Sequence, residues 1–181
     1  MSEQFFHEEQ RFRQVWIWVL VIVVCGGLMA VFAWGLFQQL VLGKPWGDKG
    51  RTMSDTALVL TAVGIYAFCI FMIWLFSNMK LIVEVRRDGL LVNFRPLRRR
   101  LVKYQDIKSA DAVQYHPLRE YGGWGIRKGR GGWAYNVSGD RGVRLEMKDG
   151  SHLLIGSQRE HELAEAIENM RRACLSAARV S

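Results

Sequence analysis

Two stretches of this chain, Gln14 to Gly43 and Thr56 to Met79, contain no Asp, Glu, Lys, Arg or His. Proton relays and ion pathways usually need an ionisable side chain at membrane depth, so that absence disfavours a pump or transporter role for the chain alone. Cysteine is scarce: Cys25, Cys69 and Cys174 stand far apart with no CxxC pair, which leaves neither a disulfide framework nor a zinc site to expect. The phosphate-binding P-loop spacing is missing, and Gly123-x-Gly125 followed by Gly129 is one residue out of the dinucleotide spacing. No Gly-x-Ser-x-Gly elbow occurs, and His161-Glu162-x-x-Glu165 carries Glu where a zinc-protease helix needs its second His. No catalytic residue, cofactor or metal ligand is therefore expected, and the chain reads as non-enzymatic.

What the two uncharged stretches do contain is Val, Leu, Ile, Phe and Trp. At about 1.5 Å rise per residue, a helix of ~20 residues crosses the ~30 Å hydrocarbon core of a bilayer. Residues 15–79 are thus expected to form a hairpin of two transmembrane helices, with Trp16, Trp18 and Trp74 at one interface and Trp34, Phe37 and Trp46 at the other. Small residues recur at helical spacing in both (Gly26, Ala30 and Ala33; Ala57, Thr61 and Gly64), a pattern suited to close approach of the two backbones.

The formal net charge of +8 is unevenly placed. Met79 to Ser181 holds twenty Lys or Arg against twelve Asp or Glu, whereas residues 1–14 hold two against three. Lys80, Arg86, Arg87, Arg95 and Arg98 to Arg100 follow the second span closely, and short cationic flanks stay in the cytoplasm. The expectation is a multi-pass protein of the cytoplasmic (inner) membrane with both termini inside. Residues 1–14, with Phe5, Phe6 and Phe12, are expected as a cytoplasmic segment along the headgroup region.

From Lys80 the period changes from helical to alternating. Leu81, Val83 and Val85 lead through Asp88-Gly89 to Leu90, Val92 and Phe94; Val143, Leu145 and Met147 lead through Asp149-Gly150 to Leu153 and Ile155. Shorter strands are expected near Arg100 to Tyr104, Ala112 to His116 and Trp133 to Val137. Ser157 followed by Glu160 has the form of a capping box, and Leu163, Ile167, Met170 and Cys174 trace one face of a closing helix. The segments KLIVEVRRDGLLVNF, GVRLEMKDGSHLLIGSQ and REHELAEAIENMRRA, spanning roughly residues 79–178, give this half of the chain an order that resembles the pleckstrin-homology-like (PH-like) domain of bacterial membrane proteins. That resemblance implies an α+β domain over 80–178, about seven antiparallel strands in a small barrel capped by a C-terminal helix. It also implies a scaffold that binds lipid or protein partners and does not ordinarily catalyse.

Two segments stand out as candidate sites. Arg95, Arg98, Arg99, Arg100 and Lys103 place five cations in nine residues, and a strand that leaves the bilayer at Lys80 is followed by one that brings this segment back to it. They are candidates for contact with anionic headgroups. The glycine-rich segment Glu120 to Gly142 interleaves Tyr121, Trp124 and Trp133 with Arg127, Lys128 and Arg130, aromatic and Arg anchors of the kind that dock protein partners. Such interleaving also suits single-stranded nucleic acid, but for a chain tethered to a bilayer no nucleic-acid partner is expected. The functional expectation is a scaffold, accessory or assembly subunit for another membrane complex, with an integral membrane partner or a second copy of the chain. The alternative is a sensor or binder of anionic lipids acting through the basic turn.

Overall fold

The computed structural model describes residues 4–12, 14–47, 52–129 and 131–180. They form two compact units: Arg13–Ser77, and Met1–Phe12 together with Asn78–Ser181.

The first unit is a pair of helices, α1 (Val15–Leu36) and α2 (Asp55–Asn78). Both are long and apolar enough to cross a membrane, and little of either is buried within the chain. Their seam consists of Val21, Cys25 and Cys69, flanked by Ile17, Met29, Ile65, Met72 and Phe76. The Cys69 thiol lies 3.9 Å from the Cys25 carbonyl oxygen, and the Tyr66 hydroxyl donates to the Met29 carbonyl at 3.1 Å. The expected small-residue stripes are not this seam, because a side chain at Gly26 or Gly64 would meet open space. Cys25 and Cys69 provide the close approach instead, one step around the helix from Gly26. After α1 the hydrogen bonding widens by one residue, with Leu42 N–H reaching the Phe37 carbonyl. Gln39 then ties the connection together, donating to the Met53 carbonyl and the Asp55 carboxylate and accepting from Trp46 N–H.

The second unit holds nine strands among the described residues. β1 (Gln4–Arg11), β2 (Lys80–Arg86), β3 (Gly89–Arg95) and β4 (Arg98–Val102) form one antiparallel sheet in that order. β5 (Ile107–Gln114), β6 (Gly125–Gly129), β7 (Gly132–Asn136), β8 (Arg141–Met147) and β9 (His152–Gly156) form the other, in the order β5-β8-β9-β7-β6. A short helix, α3 (Pro117–Tyr121), precedes β6, and α4 (Glu160–Val180) closes the chain.

The alternation read from Lys80 onward is the register observed. Leu81 faces Phe94, Val83 faces Val92 and Val85 faces Leu90, and all six side chains are buried. Val143, Leu145, Leu153, Ile155 and Tyr135 are buried in the second sheet, and Leu163 and Ile167 of α4 join the buried set. Across the second sheet, Tyr115, Tyr121, Ala134 and Leu154 form a smaller apolar cluster.

Three features differ from the expected seven-stranded barrel. Residues expected along the headgroup region form β1, which pairs along its length with β2. The glycine-rich segment contains the β6–β7 hairpin, and it joins the second sheet through a parallel pairing of β7 with β9. The two sheets do not close into a barrel. A 3-10 turn at Tyr104–Asp106 interrupts the path from β4 to β5, and at β1 side-chain bonds replace a backbone ladder. Gln10 donates to the Gly156 carbonyl at 2.9 Å, while the Glu8 carboxylate accepts from the Ser157 hydroxyl at 2.6 Å and the Gln158 N–H at 2.9 Å.

Glu8 thereby supplies the anion that the start of α4 favours. Ser157 does accept from a nearby backbone N–H, that of Arg159, but Glu160 turns to Arg141 rather than completing the capping box. Truncation of Glu8 to Ala strands the Ser157 hydroxyl and is expected to cost about 1–2 kcal/mol. Ile167→Ala, which opens a cavity in the core, is expected to cost about 2–5 kcal/mol. Denaturant unfolding of the full chain in detergent, followed by tryptophan fluorescence, measures both; an Ile167→Ala effect no larger than that of Glu8→Ala would contradict this packing.

Candidate functional site

The basic segment is a strand rather than a turn. Arg95 ends β3 opposite Lys80, the first residue of β2, and Lys80 in turn faces Arg11 of β1. The chain reverses through Pro96 and Leu97, with Leu97 N–H bonded to the Phe94 carbonyl at 2.8 Å. Arg98, Arg99 and Arg100 then run along β4 opposite Phe94, Asn93 and Val92. Side chains alternate along a strand, so Arg98 and Arg100 share the face of Phe94 and Val92, while Arg99 takes the other. Lys103 follows Val102, at the far end of the strand from Arg98. The structure thus gathers Arg95 and Arg98 at the Lys80 end of the sheet, and spreads the remaining cations along its edge.

These cations differ from their neighbours in having no ion-pair partner among the described residues. Lys80 and Arg11 both bind Glu9, at 3.0 and 2.9 Å; Arg86 binds Glu84, Lys108 binds Glu146, and Arg171 binds Glu168. Arg95, Arg99, Arg100 and Lys103 have no such carboxylate, although Arg100 acts at longer range to lower the Asp149 pKa, after the larger effect of Ser151. Exposed apolar groups sit among them, with Leu97 56% and Leu101 46% exposed. Cations along an edge strand also discourage edge-to-edge pairing with another sheet, a role that needs no ligand.

Arg98 lies over the Trp133 ring, 5.2 Å from its centroid, an attraction worth about 0.5–1 kcal/mol at an exposed site. Trp133 faces Lys128 across the β6–β7 hairpin. The two segments singled out in the sequence therefore meet at Arg98, Trp133 and Lys128. Not every member of the glycine-rich set joins this surface. Tyr121, only 5% exposed, belongs to the interior cluster and is no docking anchor. The Trp124 indole N–H is committed to the Gly139 carbonyl at 3.0 Å, and Arg127 bonds back to the Trp124 carbonyl. Arg130 lies outside the described residues.

Behind this surface, Asn136 is fully buried and fixes the base of the hairpin: it accepts from Gly125 N–H and donates to the Tyr115 hydroxyl, both at 3.0 Å. Burial pushes the Tyr115 hydroxyl up to about 12, partly opposed by the bond from Asn136. Among the described residues no group of three His, Cys, Asp or Glu side chains is placed to hold a metal ion. Sequence reasoning missed Leu97, Leu101 and the cationic surroundings of α3, because an isolated Leu or Arg carries no periodic signal. Compared with protein-family models and with curated proteins, the chain matches none.

Glu9 gives this end of the sheet a pH dependence. The hydrogen bond from Lys80, then that from Arg11, holds its carboxyl below the usual value of 4.5. A carboxyl with a lowered folded pKa contributes stability that is complete above its unfolded value and lost as pH falls through the folded one. Thermal midpoints of the full chain should therefore drop below about pH 4.5 by less in Glu9→Gln than in the wild type. Superimposable acid limbs would show that the Glu9 pairs contribute nothing.

Proposed function

We propose that the chain is a non-enzymatic integral protein of the cytoplasmic membrane whose strand-and-helix unit is a PH-like domain. Its β4 edge works against an anionic leaflet, and from there the domain serves as a scaffold or accessory subunit for a membrane complex. The observation that carries this reading is the row of cations without ion-pair partners among the described residues, Arg95 to Lys103, interspersed with exposed Leu97 and Leu101. It begins opposite Lys80, which follows the last residue of α2, Asn78, after one intervening residue. Each Lys or Arg near an anionic surface contributes about 1 kcal/mol, and the contribution falls within a Debye length of about 8 Å at physiological salt. The pairing of β1 with β2 supports a helical hairpin with both ends on one side, since residues before α1 and after α2 share one ladder.

Partner docking draws on the same surface, where Trp133 and Lys128 adjoin Arg98. A tryptophan beside cationic side chains is an efficient anchor for a protein partner.

Hydrogen–deuterium exchange of the full chain in nanodiscs tests the lipid contact. With phosphatidylserine discs, residues 95–103 are expected to exchange more slowly than with phosphatidylcholine discs. High salt, or the combined Arg98→Gln, Arg99→Gln and Arg100→Gln substitutions, should remove that protection. Equal exchange in both lipids would contradict the proposal.

A further inference from the structure

An open depression of about 1110 Å³ lies beside α3 and the tip of the β6–β7 hairpin. Its charged lining is Arg119, Lys128 and Glu120. Glu120 is already engaged: its carboxylate accepts from the Arg144 guanidinium at 3.3 Å and from His116 N–H at 2.7 Å. Arg119 and Lys128 have no ion-pair partner among the described residues, so the depression carries unopposed positive charge.

Glycine lets the hairpin lie close against α3 at its wall. A Cβ on Gly129 would stand 2.3 Å from the Glu120 carbonyl oxygen and 2.8 Å from the Tyr121 ring, and one on Gly131 would stand 3.2 Å from the Tyr121 hydroxyl. That hydroxyl is buried, and the Arg144 guanidinium beside it opposes the rise that burial gives its pKa. The depression thus combines a planar guanidinium suited to two-pronged binding of phosphate oxygens with an ammonium point charge.

From these features we infer that the depression beside α3 binds a compact phosphate-bearing anion, either a lipid headgroup or a soluble phosphate compound, with Arg119 and Lys128 as its cationic contacts. The inference stands independently of lipid contact at the β4 edge, since Arg95 to Lys103 do not line the depression. The size leaves room around a phosphate for the group that carries it.

The test uses the full chain in phosphatidylcholine nanodiscs, titrated with inorganic phosphate by calorimetry. Saturable binding is expected, weakened about tenfold or more by Arg119→Gln with Lys128→Gln, which removes the charge-assisted bonds. Arg99→Gln with Arg100→Gln should leave it unchanged. Gly131→Val, which narrows the wall beside Tyr121 without changing charge, should weaken it as well. Repeating the titration in discs enriched in phosphatidic acid separates the two sources. Weaker apparent phosphate affinity there, restored in discs lacking the lipid, assigns a headgroup; unchanged affinity assigns a soluble compound. No saturable binding in phosphatidylcholine discs, or binding indifferent to the Arg119 and Lys128 substitutions, overturns the inference.

Discussion

The antiparallel pairing of β1 with β2 is the constraint on which the rest of the structure depends. The chain leaves β1 at Arg11 on its way to α1 and returns from α2 into β2 at Lys80, and these two residues face one another in the ladder. Opposed residues in such a ladder lie about 5 Å apart, so the connections to both helices start from neighbouring points. A segment of eight residues at the start of the chain is thereby made part of a sheet whose other strands lie almost seventy residues later. Through Gln10 and Glu8 the same strand also reaches Gly156, Ser157 and Gln158, where β9 passes into α4. A fragment beginning at Met79 would keep most of the core, but lose an edge strand and the carboxylate at the start of the closing helix.

Charge is sorted along this framework. On β1 and β2, Glu9 and Glu84 answer Arg11, Lys80 and Arg86, and the cations there are spent on internal bonds. On β4 no acid stands opposite the arginines, because their cross-strand neighbours on β3 are Phe94, Asn93 and Val92. One edge of the sheet is therefore electrostatically satisfied and the other is left to solvent or to an anion. Arg98 mediates between the two sheets, since its guanidinium covers Trp133 of the second while its backbone extends the first.

Much of this was legible in the chain itself. The apolar alternation of Leu81, Val83 and Val85 against Leu90, Val92 and Phe94 specified the β2–β3 hairpin and its buried face, because period two is decisive when one face is buried. The stripe of α4 was similarly clear at Leu163 and Ile167. β1 was not legible: Gln4 to Arg11 is mostly polar, and its strand conformation depends on a partner that follows two long helices. β6 was hidden by glycine, a weak strand former, and is held in place by Asn136 rather than by apolar burial. For the candidate site, the sequence identified the cations but not their arrangement. The run from Arg95 to Lys103 looks like one cluster, yet strand alternation divides it between two faces and two ends. The meeting of Arg98 with Trp133 joins residues that only tertiary packing brings together.

Disulfide trapping in native membranes tests the β1–β2 pairing most directly. In a chain whose own cysteines are replaced by serine, His7→Cys combined with Glu84→Cys joins residues that are partners in the ladder. His7→Cys combined with Lys80→Cys serves as a control four residues out of register, about 13 Å along the strand. The structure predicts rapid intramolecular crosslinking of the first pair under mild oxidation, and little of the second. Crosslinking of neither pair, or of the second in preference to the first, would contradict a sheet built from residues on both sides of the two helices.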